Sequence, residues 1–126
     1  MSSRNPEKIV LWVASSKKDI LELPSAVRID FGHGLFQAQK GQFPDIGKVL
    51  KGFGGTSVVE LKLEYSSDAY RAVYTVEFKD AIIVLHVFKK KSKKGGKTPK
   101  EDMELIQSRL KLAKGLYNEW KKENKK

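Results

Sequence analysis

Arg71, His86 and a run of seven lysines (Lys89, Lys90, Lys91, Lys93, Lys94, Lys97 and Lys100) are the residues whose types and spacing suit chemistry on an anion. No acidic residue lies within the run, so its mutual repulsion is costly unless an anion normally sits there. A solvated basic loop is the plain alternative. Arg71 and His86, on the segments leading into the run, favour an anion-binding surface.

Those segments read as two alternating strands. A short turn at Lys79 and Asp80 would pair Phe78 with Ala81, Val73 with His86 and Arg71 with Phe88. Arg71, Val73, Thr75, Glu77, Ile82, Val84, His86 and Phe88 would then share an open face. Tyr70, Ala72, Tyr74, Val76, Phe78, Ala81, Ile83, Leu85 and Val87 would form the core face. A turn one residue longer would break the grouping of guanidinium, imidazole and aromatic ring.

The elements that position these groups can be read outward from there. Val58 to Tyr65 alternates Val59, Leu61, Leu63 and Tyr65 against Val58, Glu60, Lys62 and Glu64, a strand with one wet face. Lys8 to Val13 is an apolar run suited to a buried strand, and Ser15 or Ser16 can cap a helix through Lys17 to Leu23. Pro24 fits the first turn of a second helix, in which Val27, Phe31, Leu35 and Ala38 recur at helical spacing. Gly32 and Gly34 weaken that helix and suit close packing; His33, between them, reads as a surface or core-edge histidine. Lys40 to Gly55 reads as a glycine-rich loop ending in LKGFGGTS. It matches no phosphate-binding fingerprint, and Lys51 is its candidate backbone contact. Thr98 as N-cap, Pro99 and Glu101 announce a final helix. Its apolar stripe runs through Met103, Ile106, Leu110, Ala113, Tyr117 and Trp120, widened by Leu105, Leu112 and Leu116.

At 126 residues a single domain spanning 1–126, ordered from about residue 8 to residue 120, is expected. A formal charge of +10 and a pI near 9.7 favour polyanionic partners such as nucleic acid, or an acidic protein. Nothing reads as a signal peptide, spanning segment or lipidation site, so a cytoplasmic location without a membrane partner is expected. Cysteine is absent and there are two histidines, which exclude disulfides and thiolate zinc sites and argue against any metal or other cofactor.

The order strand, two helices, three antiparallel strands and terminal helix, with the strings LKGFGG, YRAVYTVEF, LHVFKKKSKK and TPKEDMELIQSRLK, resembles the RelE/ParE toxin superfamily, in particular its phage-related, HigB-like branch. The resemblance covers about residue 8 to residue 113. It implies an α+β fold, with a small antiparallel sheet of the N-terminal strand plus a three-stranded meander, packed with two N-terminal helices and a C-terminal helix. It further implies a type II toxin-antitoxin toxin that cleaves mRNA, commonly on the ribosome, without a metal. The partners implied are mRNA, the ribosome and a cognate helix-turn-helix antitoxin.

Cleavage of this kind needs a base for the 2'-hydroxyl, cations for the phosphate and an acid for the departing 5'-oxygen. Arg71 matches the strand arginine of the family and is assigned to the phosphate, since its fork can make two parallel bonds. Clustered lysines depress one another's pKa values, which makes Lys90, Lys91 or Lys93 a candidate base or acid; His86 is the other candidate. Phe88 is placed to stack a base, and Lys51, Lys89, Lys94 and Lys97 to attract the RNA backbone. Lysines stand where the RelE prototype has an arginine after the last strand and a tyrosine near the terminus, which leaves acid and base open. The alternatives are a ParE-like gyrase inhibitor on the same fold and a nucleic-acid-binding protein without chemistry.

Overall fold

The computed structural model describes residues 7–90 and 97–124. Strand β1 (Ile9–Trp12) leads into helices α1 (Ser16–Leu21) and α2 (Ser25–Gln39). Strands β2 (Gly47–Val49), β3 (Val58–Tyr65), β4 (Asp68–Thr75) and β5 (Ala81–Lys90) follow, and helix α3 (Lys100–Glu123) closes the chain. The sheet runs in the order β1-β5-β4-β3-β2. β1 lies parallel to β5 and the other pairs are antiparallel. The sheet is thus mixed rather than purely antiparallel, and it gains a strand, β2, inside the segment expected to be loop. Three residues of Gly-Lys-Val carry too little pattern to announce a strand; β2 is held by its pairing with β3.

α2 and α3 cover opposite faces. Val27, Phe31, Leu35 and Ala38 of α2 pack with Leu61, Ala72, Tyr74, Ile82, Val84 and Val87. Ile106 and Ala113 of α3 pack with Val58, Val73, Ala81, Ile83, Leu85 and Phe53. The expected open face of the β4–β5 pair is therefore a second core. Only the inner line of the α3 stripe is covered, and Leu112, read as widening it, is 59% exposed. Gly34 lets α2 approach the sheet, because a Cβ there would meet Leu61 Cδ1 at 3.1 Å, whereas Gly32 faces open space. Gly52, at φ +107°, turns the chain so that Phe53 enters the core beneath α3.

The β3–β4 turn is Ser66-Ser67, both with positive φ, as the mirror-image two-residue hairpin turn requires. It pairs Lys62 with Arg71 and Glu60 with Val73. The β4–β5 connection is longer than the expected two residues, running from Val76 to Asp80. By itself this would shift the register by one and turn His86 away from Arg71. A bulge between Val73 and Tyr74 restores it: Tyr74 pairs with Val84 but Val73 with His86, leaving Leu85 as the extra residue. The expected pairs Val73–His86 and Arg71–Phe88 therefore occur, by a different route. The cost to the sequence reading falls on the other side of the bulge. Ile82 and Val84 face α2 instead of Arg71's side, while Ala81, Ile83, Leu85 and Phe78 pack on the α3 side.

Candidate functional site

Pairing across the sheet sets two adjacent rows on the α3 side, Lys48–Glu60–Val73–His86 and Lys62–Arg71–Phe88, with Lys90 one step beyond Phe88. The start of α3 is fastened over one end of this face by three side chains. Thr98 Oγ1 donates to Glu60 Oε2 at 2.7 Å. His86 Nε2 and Asp102 Oδ1 lie 2.8 Å apart. Arg109 Nη1 donates to the Leu85 carbonyl at 2.9 Å, satisfying an oxygen that the bulge removes from the ladder. Thr98 is thus not the expected cap. Pro99 occupies the N-cap position with no side-chain cap bond, because the threonine hydroxyl is engaged by the sheet.

Arg71 is 4% exposed and Glu60 1%, so both expectations of a wet position are corrected; Glu60 is met by Thr98, just ahead of α3. They form an ion pair with Arg71 Nε 3.7 Å from Glu60 Oε2, and Arg71 Nη1 also donates to the Tyr70 carbonyl at 3.3 Å. Among the described residues, Arg71 Nε, Glu60 Oε1 and His86 Nδ1 are buried without a hydrogen-bond partner. Three such atoms on one sheet face mark it as unlike an ordinary core.

His86 is buried, and its ring stacks on Phe88 with centroids 4.5 Å apart and planes at 16°. Burial holds its pKa below the ordinary value of 6.5, with the nearby Arg109 charge acting in the same direction and Asp102 and Asp19 opposing. A carboxylate only accepts, so Nε2 carries the proton toward Asp102 and Nδ1 is left as a buried lone pair. Lys90 is also buried. Burial pushes its ammonium pKa down, as do the charges of Arg71 and Lys62, while Glu60 pushes it up.

The structure brings together Arg71, His86, Phe88 and Lys90 of the expected site residues. Lys51 and Lys97 meet at a neighbouring cleft of about 440 Å³, lined also by Lys48, Glu60, Thr98 and Met103. Lys89 does not join them: alternation sends it to the other face, where it lies 3.5 Å from Asp68. Lys91, Lys93 and Lys94 lie outside the described residues. Sequence reading passed over Glu60, Lys62, Lys48, Asp102 and Arg109. For Glu60 and Lys62 a signal existed, since a two-residue turn at Ser66-Ser67 puts them on Arg71's face; for Arg109 none did.

Chemically, the arrangement is a cationic stretch of sheet face that holds a buried guanidinium and a lysine of lowered basicity, beside the cleft of Lys48, Lys51 and Lys97. That combination suits a phosphodiester more than an isolated carboxylate, because it offers charge over several ångströms and a group able to exchange a proton. Among the described residues no group of three His, Asp or Glu could hold a metal ion, and no described helix is long and apolar enough to cross a membrane.

No curated protein matches the chain by sequence. Among solved structures, the E. coli toxin RelE, in the free state and with two arginines replaced by alanine, is similar with a TM-score of 0.50 and 22% identity. The match covers 64% of this chain and 81% of that one, and it shows the fold. The family described as Phage derived protein Gp49-like matches residues 18–111, a span that includes β2 to β5, the three fastenings of α3 and the cationic residues described above. The chain therefore belongs to the phage-derived Gp49-like family and carries a RelE-like fold.

Proposed function

We propose that this protein is the toxin of a type II toxin-antitoxin pair of the HigB-like kind, and that it cleaves mRNA on the ribosome without a metal. The observation that carries the reading is Arg71. It is buried, its Nε lacks a hydrogen-bond partner among the described residues, and it sits on a face bordered by Lys48, Lys62 and Lys90. A guanidinium in that state is prepared for an oxyanion.

In the proposed reaction a base removes the 2'-hydroxyl proton, the 2'-oxygen attacks phosphorus, and the 5'-oxygen leaves with a proton from an acid. The products are a 2',3'-cyclic phosphate and a 5'-hydroxyl. Arg71 and Lys62 stabilise the charge on the non-bridging oxygens. Lys90, with its lowered pKa, is the described group best suited to move a proton; Lys91 and Lys93 remain candidates for the other transfer. His86 supports the face through Asp102 and Phe88, and its Nδ1 can serve chemistry only if the ring is uncovered. Lys48, Lys51 and Lys97 lead the RNA backbone toward Arg71, joined by Lys94, while Lys89 adds charge from the other face.

Digestion of a defined mRNA with ribosomes in magnesium buffer, and without ribosomes in the presence of EDTA, tests the reading. Cleavage with cyclic-phosphate ends that Arg71→Lys abolishes supports it. Intact RNA together with inhibition of gyrase supercoiling would favour the ParE-like alternative, and RNA binding without cleavage would favour a nucleic-acid-binding protein. The cognate antitoxin is tested by co-expressing the adjacent reading frame and asking whether it co-purifies and restores growth.

A further inference from the structure

A buried guanidinium and carboxylate ordinarily close to hydrogen-bond distance and often pair two bonds at once. Glu60 and Arg71 do not. Their nearest atoms are 3.7 Å apart, and each side keeps a buried atom, Glu60 Oε1 and Arg71 Nε, without a hydrogen-bond partner among the described residues. Leaving such bonds unmade is unfavourable, so something must hold the carboxylate away. The Thr98 hydroxyl bonds the same oxygen, Oε2, that faces Arg71, at 2.7 Å. Thr98 is in turn anchored by its place just ahead of α3, whose first turn is tied to the sheet through Asp102 and His86.

We infer that Thr98 and Glu60 are positioning residues for Arg71: the hydroxyl restrains the Glu60 carboxylate from closing on the guanidinium, and so keeps guanidinium N–H groups available to an incoming phosphate. Glu60 orients the fork by its charge; Thr98 limits how much of the fork it consumes. The phosphate clause rests on the proposed function. The restraint of Glu60 by Thr98 does not.

The variants that separate these are Thr98→Val, which keeps shape and removes the hydroxyl, Thr98→Ser, which restores it, and Thr98→Val combined with Glu60→Gln, which weakens the hold on Arg71. Side-chain NMR of arginine-labelled protein follows the Arg71 Nε–H directly, with inorganic phosphate as the probe. In Thr98→Val this resonance should move downfield, as it does on bonding a carboxylate, and respond less to phosphate; Thr98→Ser should behave as wild type. Turnover on saturating RNA should fall about tenfold to a hundredfold in Thr98→Val with a smaller change in KM, and recover only in part in the double variant, because Glu60→Gln releases the fork but also removes the charge that orients it. An Arg71 resonance unchanged by Thr98→Val overturns the restraint, and a shifted resonance with full turnover overturns its role in catalysis. If wild-type protein cuts no RNA while the resonance and its phosphate response shift as described, the nuclease reading fails and the positioning stands.

Discussion

Because Arg71 and Glu60 are buried as a pair, a substitution at one changes the state of the other. Arg71→Ala strands the Glu60 carboxylate in the core and should cost about 3–5 kcal/mol of stability, so loss of activity in that variant would confound folding with chemistry. Arg71→Lys keeps the charge and loses the planar fork. It should retain a near-normal melting temperature while RNA cleavage drops about a hundredfold or more, as judged by thermal melts and cleavage assays side by side. His86 gives a second residue-scale expectation. Its folded pKa lies below 6.5 chiefly through burial, so the unfolded chain binds more protons once the pH falls below that value. Its contribution to stability is complete above about pH 6.5 and is lost as the pH drops toward the folded pKa. Melts between about pH 7.5 and pH 5 should show declining stability on acidification, and His86→Gln should flatten that slope; an unchanged slope would place the pH dependence elsewhere.

At the scale of elements, α2 offers one substitution with two outcomes. Gly32→Ala meets open space and should stabilise the helix by about 0.5–1 kcal/mol. Gly34→Ala drives a methyl against both terminal carbons of Leu61, at 3.1 and 3.2 Å, and should be destabilising by about 1–2 kcal/mol; denaturant titration of the two variants decides. The sequence made α2, β3, β4, β5 and α3 legible through periodicity, and the Arg71–Phe88 and Val73–His86 pairs through register. It did not reveal which face α3 covers. β4 and β5 are central strands, apolar on both sides, so alternation along them looks the same from either face. The bulge at Leu85 was hidden for the same reason: an extra leucine in an apolar run leaves no mark, and the Arg109 that satisfies its carbonyl is a surface-type residue on a helix read for its apolar stripe. Thr98 was misplaced because a threonine before a proline and three residues ahead of Glu101 fits a capping box well, and only the tertiary position of Glu60 diverts it.

At the scale of the whole molecule, the charge of +10 sets encounter with a polyanion more than the strength of any one contact. Replacing Lys48, Lys51 and Lys97 together with glutamine should reduce the slope of log affinity for single-stranded RNA against log salt by about 2, since each lost phosphate contact removes about 0.7. Filter binding at several salt concentrations measures it, and an unaltered slope would remove the cleft from the RNA path. The parallel pairing of Ile9 with Ala81 has a consequence of a different kind, for the order in which the chain assembles. The hairpins β3–β4 and β4–β5 join near neighbours and can close early, whereas β1 must wait for a strand far along the chain and close a long loop to reach it. During synthesis β1 emerges first yet has no partner until β5 has left the exit tunnel, and the three fastenings of α3 come later still. A nascent chain halted before α3 would present the Val73, Ile83 and Leu85 face bare, so the unfinished product is prone to aggregate and lacks the seat for Glu60 and Arg71. If the proposed function holds, no RNA can be cut until α3 has followed the sheet out of the tunnel and fastened over it, so the assembly order of the fold also sets when activity can begin.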